Sequence, residues 1–213
     1  MKIGIVGKQF DKSIGCQVPY LNYFSTMGNV SIVLPQSEID ESLDLVVLPG
    51  GPDVIDYSAL GFFNNQPDLY YEWFDHNRLP QYIEAKVPVF GICRGLQAIN
   101  NYYGGALYQE LYNHNYSLKS RDELVHQVLV TEEWKWKLGT TQQVNSLHHQ
   151  GINVLGTGLI VVATGHSNKW HYNNLPEAII HESDKVAAVQ WHPEEILDHL
   201  TPKLIELITD TEN

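Results

Sequence analysis

Apolar residues cluster in short runs at residues 2–6, 30–34, 43–48 and 87–92, rich in Val, Ile and Leu. Such near-continuous runs mark strands buried on both faces. Between several of them, residues 18–27 and 71–85 carry apolar positions at helical spacing. Strands alternating with helices predict a doubly wound α/β arrangement, a parallel sheet with helices on both faces.

The second half has another rhythm. Strand-like runs at 125–130, 144–147, 159–163, 178–181 and 186–191 follow one another with turn residues between them. They predict antiparallel additions to the same sheet, closed by a helix over 194–208. No repeat, low-complexity tract or linker divides the sequence, and residues 1–213 are expected to form a single domain. Residues 64–68 are the most loop-like stretch, flanked by Phe62, Phe63, Tyr70 and Tyr71. The aromatic helix at 68–77 is expected to pack on the sheet, and "WKWK" at 134–137 to add an edge strand with its lysines in solvent.

Composition narrows the function. A chain of 213 residues can bury a sizeable core without disulfides or metal. With 13 Lys and Arg against 25 Asp and Glu, the formal charge of −12 repels phosphate backbones, so nucleic acid is not an expected partner. No apolar window approaches the ~18 residues of a membrane span, and the first residues do not read as a signal peptide, so a cytoplasmic protein is expected. Scattered histidines, including His114, His126, His148, His149, His166 and His171, lack metal-ligand spacing, and no metal or organic cofactor is expected.

The two cysteines, Cys16 and Cys93, therefore need another explanation. In "VFGICRGLQAI" an apolar strand ends at Ile92 and a helical pattern begins at Arg94, with Gly91 and Gly95 at G-x-C-x-G spacing about Cys93. This is a cysteine version of the nucleophile elbow, whose small neighbours let the chain turn sharply beneath an exposed nucleophile. A thiol there meets the positive end of the helix dipole, which favours the thiolate. A free cysteine is otherwise most often an inert core residue.

Two further stretches supply partners. "AVQWHPEEI" ends a strand with His192, Pro193 and Glu194. A cysteine nucleophile needs a base, and the base needs an acceptor to orient its ring; His192 and Glu194 fit these roles, with rigid Pro193 fixing their separation. "VVLPGGPDV" places Gly50 and Gly51 after a buried strand, where backbone N–H groups can approach an oxyanion. Taken singly, these are also an ordinary strand-to-helix boundary and a plain turn.

Together with "GICRGLQAINNYYGGALYQEL" and "VNSLHHQGI", in this order along nearly the whole chain, these motifs resemble the class I glutamine amidotransferase superfamily. The closer likeness is to its gamma-glutamyl hydrolase-like peptidase branch. The resemblance implies a flavodoxin-like, mainly parallel sheet. It also implies Cys93 as nucleophile, His192 as base, Glu194 as orienting acid, and the backbone amides of Gly51 and Arg94 as the oxyanion hole. Gln97, Asn145, Ser146, Leu147 and His148 would hold the glutamyl end of the substrate.

The activity so implied is cysteine-dependent hydrolysis of a small-molecule gamma-glutamyl amide, or of glutamine, through a glutamyl thioester. One alternative is a glutaminase subunit supplying ammonia to a synthetase partner protein on another chain; no nucleotide-binding glycine motif lies in this one. A catalytically silent binding domain is the other, and the intact Cys93, His192 and Glu194 count against it. One departure stands out. Only residues 36–42 separate the strand at 30–34 from the next, where relatives usually insert a helix.

Overall fold

A computed structural model of the chain describes residues 1–54, 68–112, 114, 119–166, 174–196 and 198–210. The first strands are β1 (Lys2–Val6), β2 (Lys8–Phe10), β3 (Ser13–Gly15), β4 (Asn29–Val33), β5 (Leu45–Leu48), β6 (Val89–Ile92) and β7 (Ala106–Tyr108). The later ones are β8 (His126–Val130), β9 (Thr141–Val144), β10 (Gly151–Val154), β11 (Ile160–His166), β12 (Leu175–His181) and β13 (Val186–Val189). The helices are α1 (Val18–Ser25), α2 (Leu69–Asn77), α3 (Leu79–Glu84), α4 (Arg94–Tyr102), α5 (Lys135–Leu138) and α6 (Leu200–Thr209).

Among the described residues, one sheet of nine strands runs in the order β4-β1-β5-β6-β13-β12-β11-β8-β9. From β4 to β13 neighbours are parallel; from β13 to β9 they are antiparallel. The predicted α/β sheet with antiparallel additions is therefore what forms. The insertion of β13 beside β6 matters most for function. Val189 lies opposite Ile92, so the chain leaves both strands at one end of the sheet, one turning at Cys93 and the other reaching His192.

The apolar runs are continuous because the two faces of each strand feed two cores. Ile3, Ile5, Leu45, Val47, Phe90 and Ile92 pack with Tyr20 and Phe24 of α1 and Leu204 and Ile205 of α6. The intervening Val46, Leu48 and Val89 pack with Phe74 of α2, Tyr82 of α3 and Leu96 and Ile99 of α4. Fully burying each such side chain contributes about 1.5–3 kcal/mol, which anchors the strand ends that carry the site.

Several element boundaries differ from expectation, each for a local reason. The helix expected over 71–85 is two helices broken at Arg78, because Pro80 lies in the first turn of α3 and cannot continue a helix from before it. The edge strand expected at 134–137 is helical: a 3₁₀ turn (Glu132–Trp134) runs into α5, burying Trp134 and Leu138 at i, i+4 and leaving Trp136 78% exposed. Lys137 lies over the rings of both tryptophans.

The strand expected at 144–147 ends at Val144, after which residues 145–150 bond mainly through side chains. The closing helix begins at Leu200 rather than 194: Pro193–Glu195 form a separate 3₁₀ turn, and the Asp198 carboxylate accepts the N–H groups of Leu200 and Thr201 at 2.9 and 2.7 Å. The connection between β4 and β5 carries no helix, as its length requires. The loop expected at 64–68, apart from Asp68, and the flanking Phe62 and Phe63 lie outside the described residues, as does His171. No described helix is long and apolar enough to cross a membrane.

Candidate active site

Cys93 occupies the turn between β6 and α4 with φ 53° and ψ −101°, a left-handed backbone that a non-glycine residue adopts at a cost of about 1–3 kcal/mol. Its N–H is held by the carbonyl of Val189 at 2.8 Å. The flanking glycines make the turn possible. A Cβ on Gly91 would lie 2.6 Å from the Gly95 carbonyl carbon, and one on Gly95 would lie 2.3 Å from the Leu48 carbonyl oxygen. Thus α4 starts in backbone contact with the ends of β5 and β6, its first N–H groups at the mouth of the sheet.

His192 stands beyond β13 with its Nδ1 2.6 Å from Oε1 of Glu194. The Glu194 carboxylate is fully buried. That bond assigns a proton to Nδ1 and leaves Nε2 for the hydrogen bond with the Cys93 side chain. Burial by itself pushes the His192 imidazole down, but the negative charges of Cys93 and Glu194, with hydrogen bonds to both side chains, raise it to about 10. His192 thus lies between the Cys93 side chain and the buried Glu194 carboxylate.

Two residues hold His192 in place. Asn145 Oδ1 accepts the His192 N–H at 2.9 Å, and its Nδ2 donates to the His192 carbonyl at 3.2 Å. Tyr20, on α1, has its hydroxyl 3.5 Å from His192 Nδ1 and accepts the Gly50 N–H at 2.9 Å. Burial, then the charge of Glu194, keeps that phenol protonated. Tyr20 therefore joins the loop after β5 to the His192–Glu194 pair. Nothing in the sequence pattern singled it out, since an aromatic at helical spacing reads as core.

Gly50 and Gly51 follow β5 and face the same opening. A Cβ on Gly50 would meet His192 Cε1 at 2.6 Å, and one on Gly51 would meet Arg94 Cδ at 2.9 Å. Arg94 begins α4, and its guanidinium is buried between two carboxylates of α2: Nη2 lies 2.9 Å from Glu72 Oε1 and 2.7 Å from Asp75 Oδ2. It also lies 4.9 Å over the Tyr71 ring. The Arg94 side chain thus anchors the aromatic helix, so packing and electrostatics together hold α2.

The segment 145–150 lines the other side. Gln97, buried on α4, donates to the Gln150 carbonyl at 3.3 Å and to Gln190 Oε1 at 3.4 Å. Val54 N–H donates to Gln150 Oε1 at 3.3 Å, and His149 Nε2 lies 2.8 Å from Asp53 Oδ1. Ser146 is fully buried and Leu147 partly so. His148 is turned inward, with Nδ1 2.9 Å from the Gln150 carbonyl and Nε2 3.0 Å from Nε2 of His114. Cys16, the second cysteine, is half-buried and away from any glycine elbow; burial pushes its thiol up.

The Peptidase C26 family model matches residues 11–194. Glutamine amidotransferase-like protein YvdE of Lactococcus lactis, a protein named by likeness, is 32% identical over 213 residues, covering 90% of this chain and 86% of its own. A gamma-glutamyl-gamma-aminobutyrate hydrolase, PuuD of Escherichia coli, is 28% identical over 208 residues, covering 84% of this chain and 78% of its own. A solved glutamine amidotransferase from Thermotoga maritima superposes with a TM-score of 0.62 at 15% identity, covering 96% of this chain and 80% of its own, and shares the fold. The chain belongs to the Peptidase C26 family, of the class I glutamine amidotransferase-like type.

Proposed function

We propose that the protein is an amide hydrolase that cleaves a gamma-glutamyl amide through a glutamyl thioester on Cys93. The observation that carries this reading is the strained elbow of Cys93 facing a buried His192–Glu194 pair. In the first half-reaction the Cys93 thiolate attacks the side-chain carbonyl of the glutamyl group. The backbone N–H groups of Gly51 and Arg94 receive the developing oxyanion, a contribution of roughly 10²–10³ in rate per donor in comparable sites. The His192 imidazolium gives its Nε2 proton to the leaving nitrogen, the C–N bond breaks, and the thioester remains.

In the second half-reaction neutral His192 takes a proton from water, whose oxygen attacks the thioester. Glutamate leaves, and the thiolate–imidazolium pair is restored. Glu194 keeps the imidazole in register and stabilises its charged form. Gln97 and the segment from Asn145 to His148 recognise the amino-acid end, with Asn145 and His148 holding the segment. The names of relatives, a gamma-glutamyl-gamma-aminobutyrate hydrolase among them, support this substrate class.

The test is a panel of gamma-glutamyl amides and glutamine offered to the purified chain, with mass detection of glutamate and the released amine. Turnover of an amide by the chain alone is the expected result. Turnover of glutamine only after a synthetase partner is added would replace this reading with that of a glutaminase subunit. No turnover of any member under either condition would return the silent-domain reading.

A further inference from the structure

Away from the triad, three chemistry-bearing side chains converge in the interior. His114 lies in the segment between β7 and β8, His126 opens β8, and Glu177 lies in β12. All three are buried, and one ligand atom from each lies within 4.8 Å of the others. The side chains of His126 and Glu177 have no solvent exposure, and the two Glu177 carboxylate oxygens face His126 Nε2 at 2.8 and 2.9 Å. We propose that His114, His126 and Glu177 form a buried zinc site, separate from the Cys93 chemistry.

Hydrogen bonding fixes the tautomers around it. His148 Nδ1 points at the Gln150 carbonyl, which can only accept, so Nδ1 carries the His148 proton and Nε2 carries the lone pair. His114 Nε2, 3.0 Å away, must then donate to it. In a neutral ring this leaves the lone pair of His114 on Nδ1. His148, bonded to a backbone carbonyl on one side and to a ligand on the other, occupies the orienting position that lies behind metal-bound histidines.

The donor set selects the ion. Two imidazoles and one carboxylate suit zinc, whereas calcium and magnesium prefer all-oxygen shells. A buried carboxylate is costly unless it is paired, and a divalent cation compensates it more fully than one imidazole does. Zinc here ties the segment after β7 to the antiparallel strands behind residues 145–150. It stiffens that segment through His148 and takes no part in bond cleavage.

The site is tested on the full chain, purified after growth with zinc and assayed by elemental mass spectrometry. One zinc per chain is expected, with a melting temperature that falls on chelation and is restored by Zn²⁺ but not by Mg²⁺. Co²⁺ added to the stripped protein should give the visible absorption of a low-symmetry four- or five-coordinate site. Glu177→Gln should lose the metal, and Cys93→Ser should keep it. A wild-type chain that holds no zinc after incubation and desalting, with the same melting temperature with and without chelator, would overturn the proposal, whether or not the Glu177 variant folds. So would zinc that vanishes in Cys93→Ser, since it would then reside at the triad.

Discussion

Asn145 grips the backbone of His192 from both sides, accepting its N–H at 2.9 Å and donating to its carbonyl at 3.2 Å. His192, just beyond the end of β13, is thereby locked to the residue after β9, across two distant parts of the chain. The orientation of the imidazole depends on this lock as well as on Glu194. Asn145→Ala is expected to lower kcat by up to ~10²-fold, because a misplaced base costs proton transfer even when its chemistry is intact. Steady-state kinetics with thermal unfolding checks it. An unchanged kcat in a folded variant would remove Asn145 from the positioning of the base.

The site is also anchored by charge. Arg94 is buried against Glu72 and Asp75, and burial holds the Asp75 carboxyl above its ordinary range even beside the guanidinium. Removing the cation leaves two carboxylates without it in a buried setting. Arg94→Met is expected to lower unfolding free energy by about 3–5 kcal/mol, the usual cost of breaking a buried pair from one side. Denaturant unfolding measures it, and a loss no larger than that of an exposed ion pair would contradict the anchoring role.

His149 gives a pH dependence with a definite sign. Its bond to Asp53, then the charges of Asp53 and Glu110, raise the imidazole above the ordinary 6.5 despite partial burial. A raised histidine contributes stability that is fully present below pH 6.5, while the carboxylates remain ionised, and that is lost as pH rises through the folded-state value. The difference in melting temperature between wild type and His149→Gln should therefore be largest near pH 6 and shrink towards alkaline pH. A difference that grows with rising pH would contradict it.

Much of this site was legible because the relevant signals are short-range. Gly91, Cys93 and Gly95 sit within one turn, and the apolar run before them announces a buried strand; His192, Pro193 and Glu194 likewise act within three residues. The residues that escaped notice act over long separations. Tyr20 meets Gly50 and His192 only because α1 packs against β4 and the 3₁₀ turn at Pro193–Glu195, and Asp75 meets Arg94 only because α2 packs on α4. His114 and His126 were visible as histidines, but their approach to Glu177 joins three separate segments and leaves no local spacing in the sequence. The fold errors have the same origin in reverse. At Trp134–Leu138 an alternating pattern of four residues fits a strand, and the burial of both ends at i, i+4 decides for a helix.

The central claim is that Cys93 carries the glutamyl group. Rapid acid quenching during turnover of a gamma-glutamyl amide, followed by peptide mapping, tests it most directly. The peptide containing Cys93 should gain the mass of a glutamyl group, Cys93→Ser should abolish both adduct and turnover while unfolding at a similar temperature, and Cys16→Ala should leave both in place. A folded Cys93→Ser protein that turns over at the wild-type rate, or an adduct found on Cys16 alone, would contradict the covalent route.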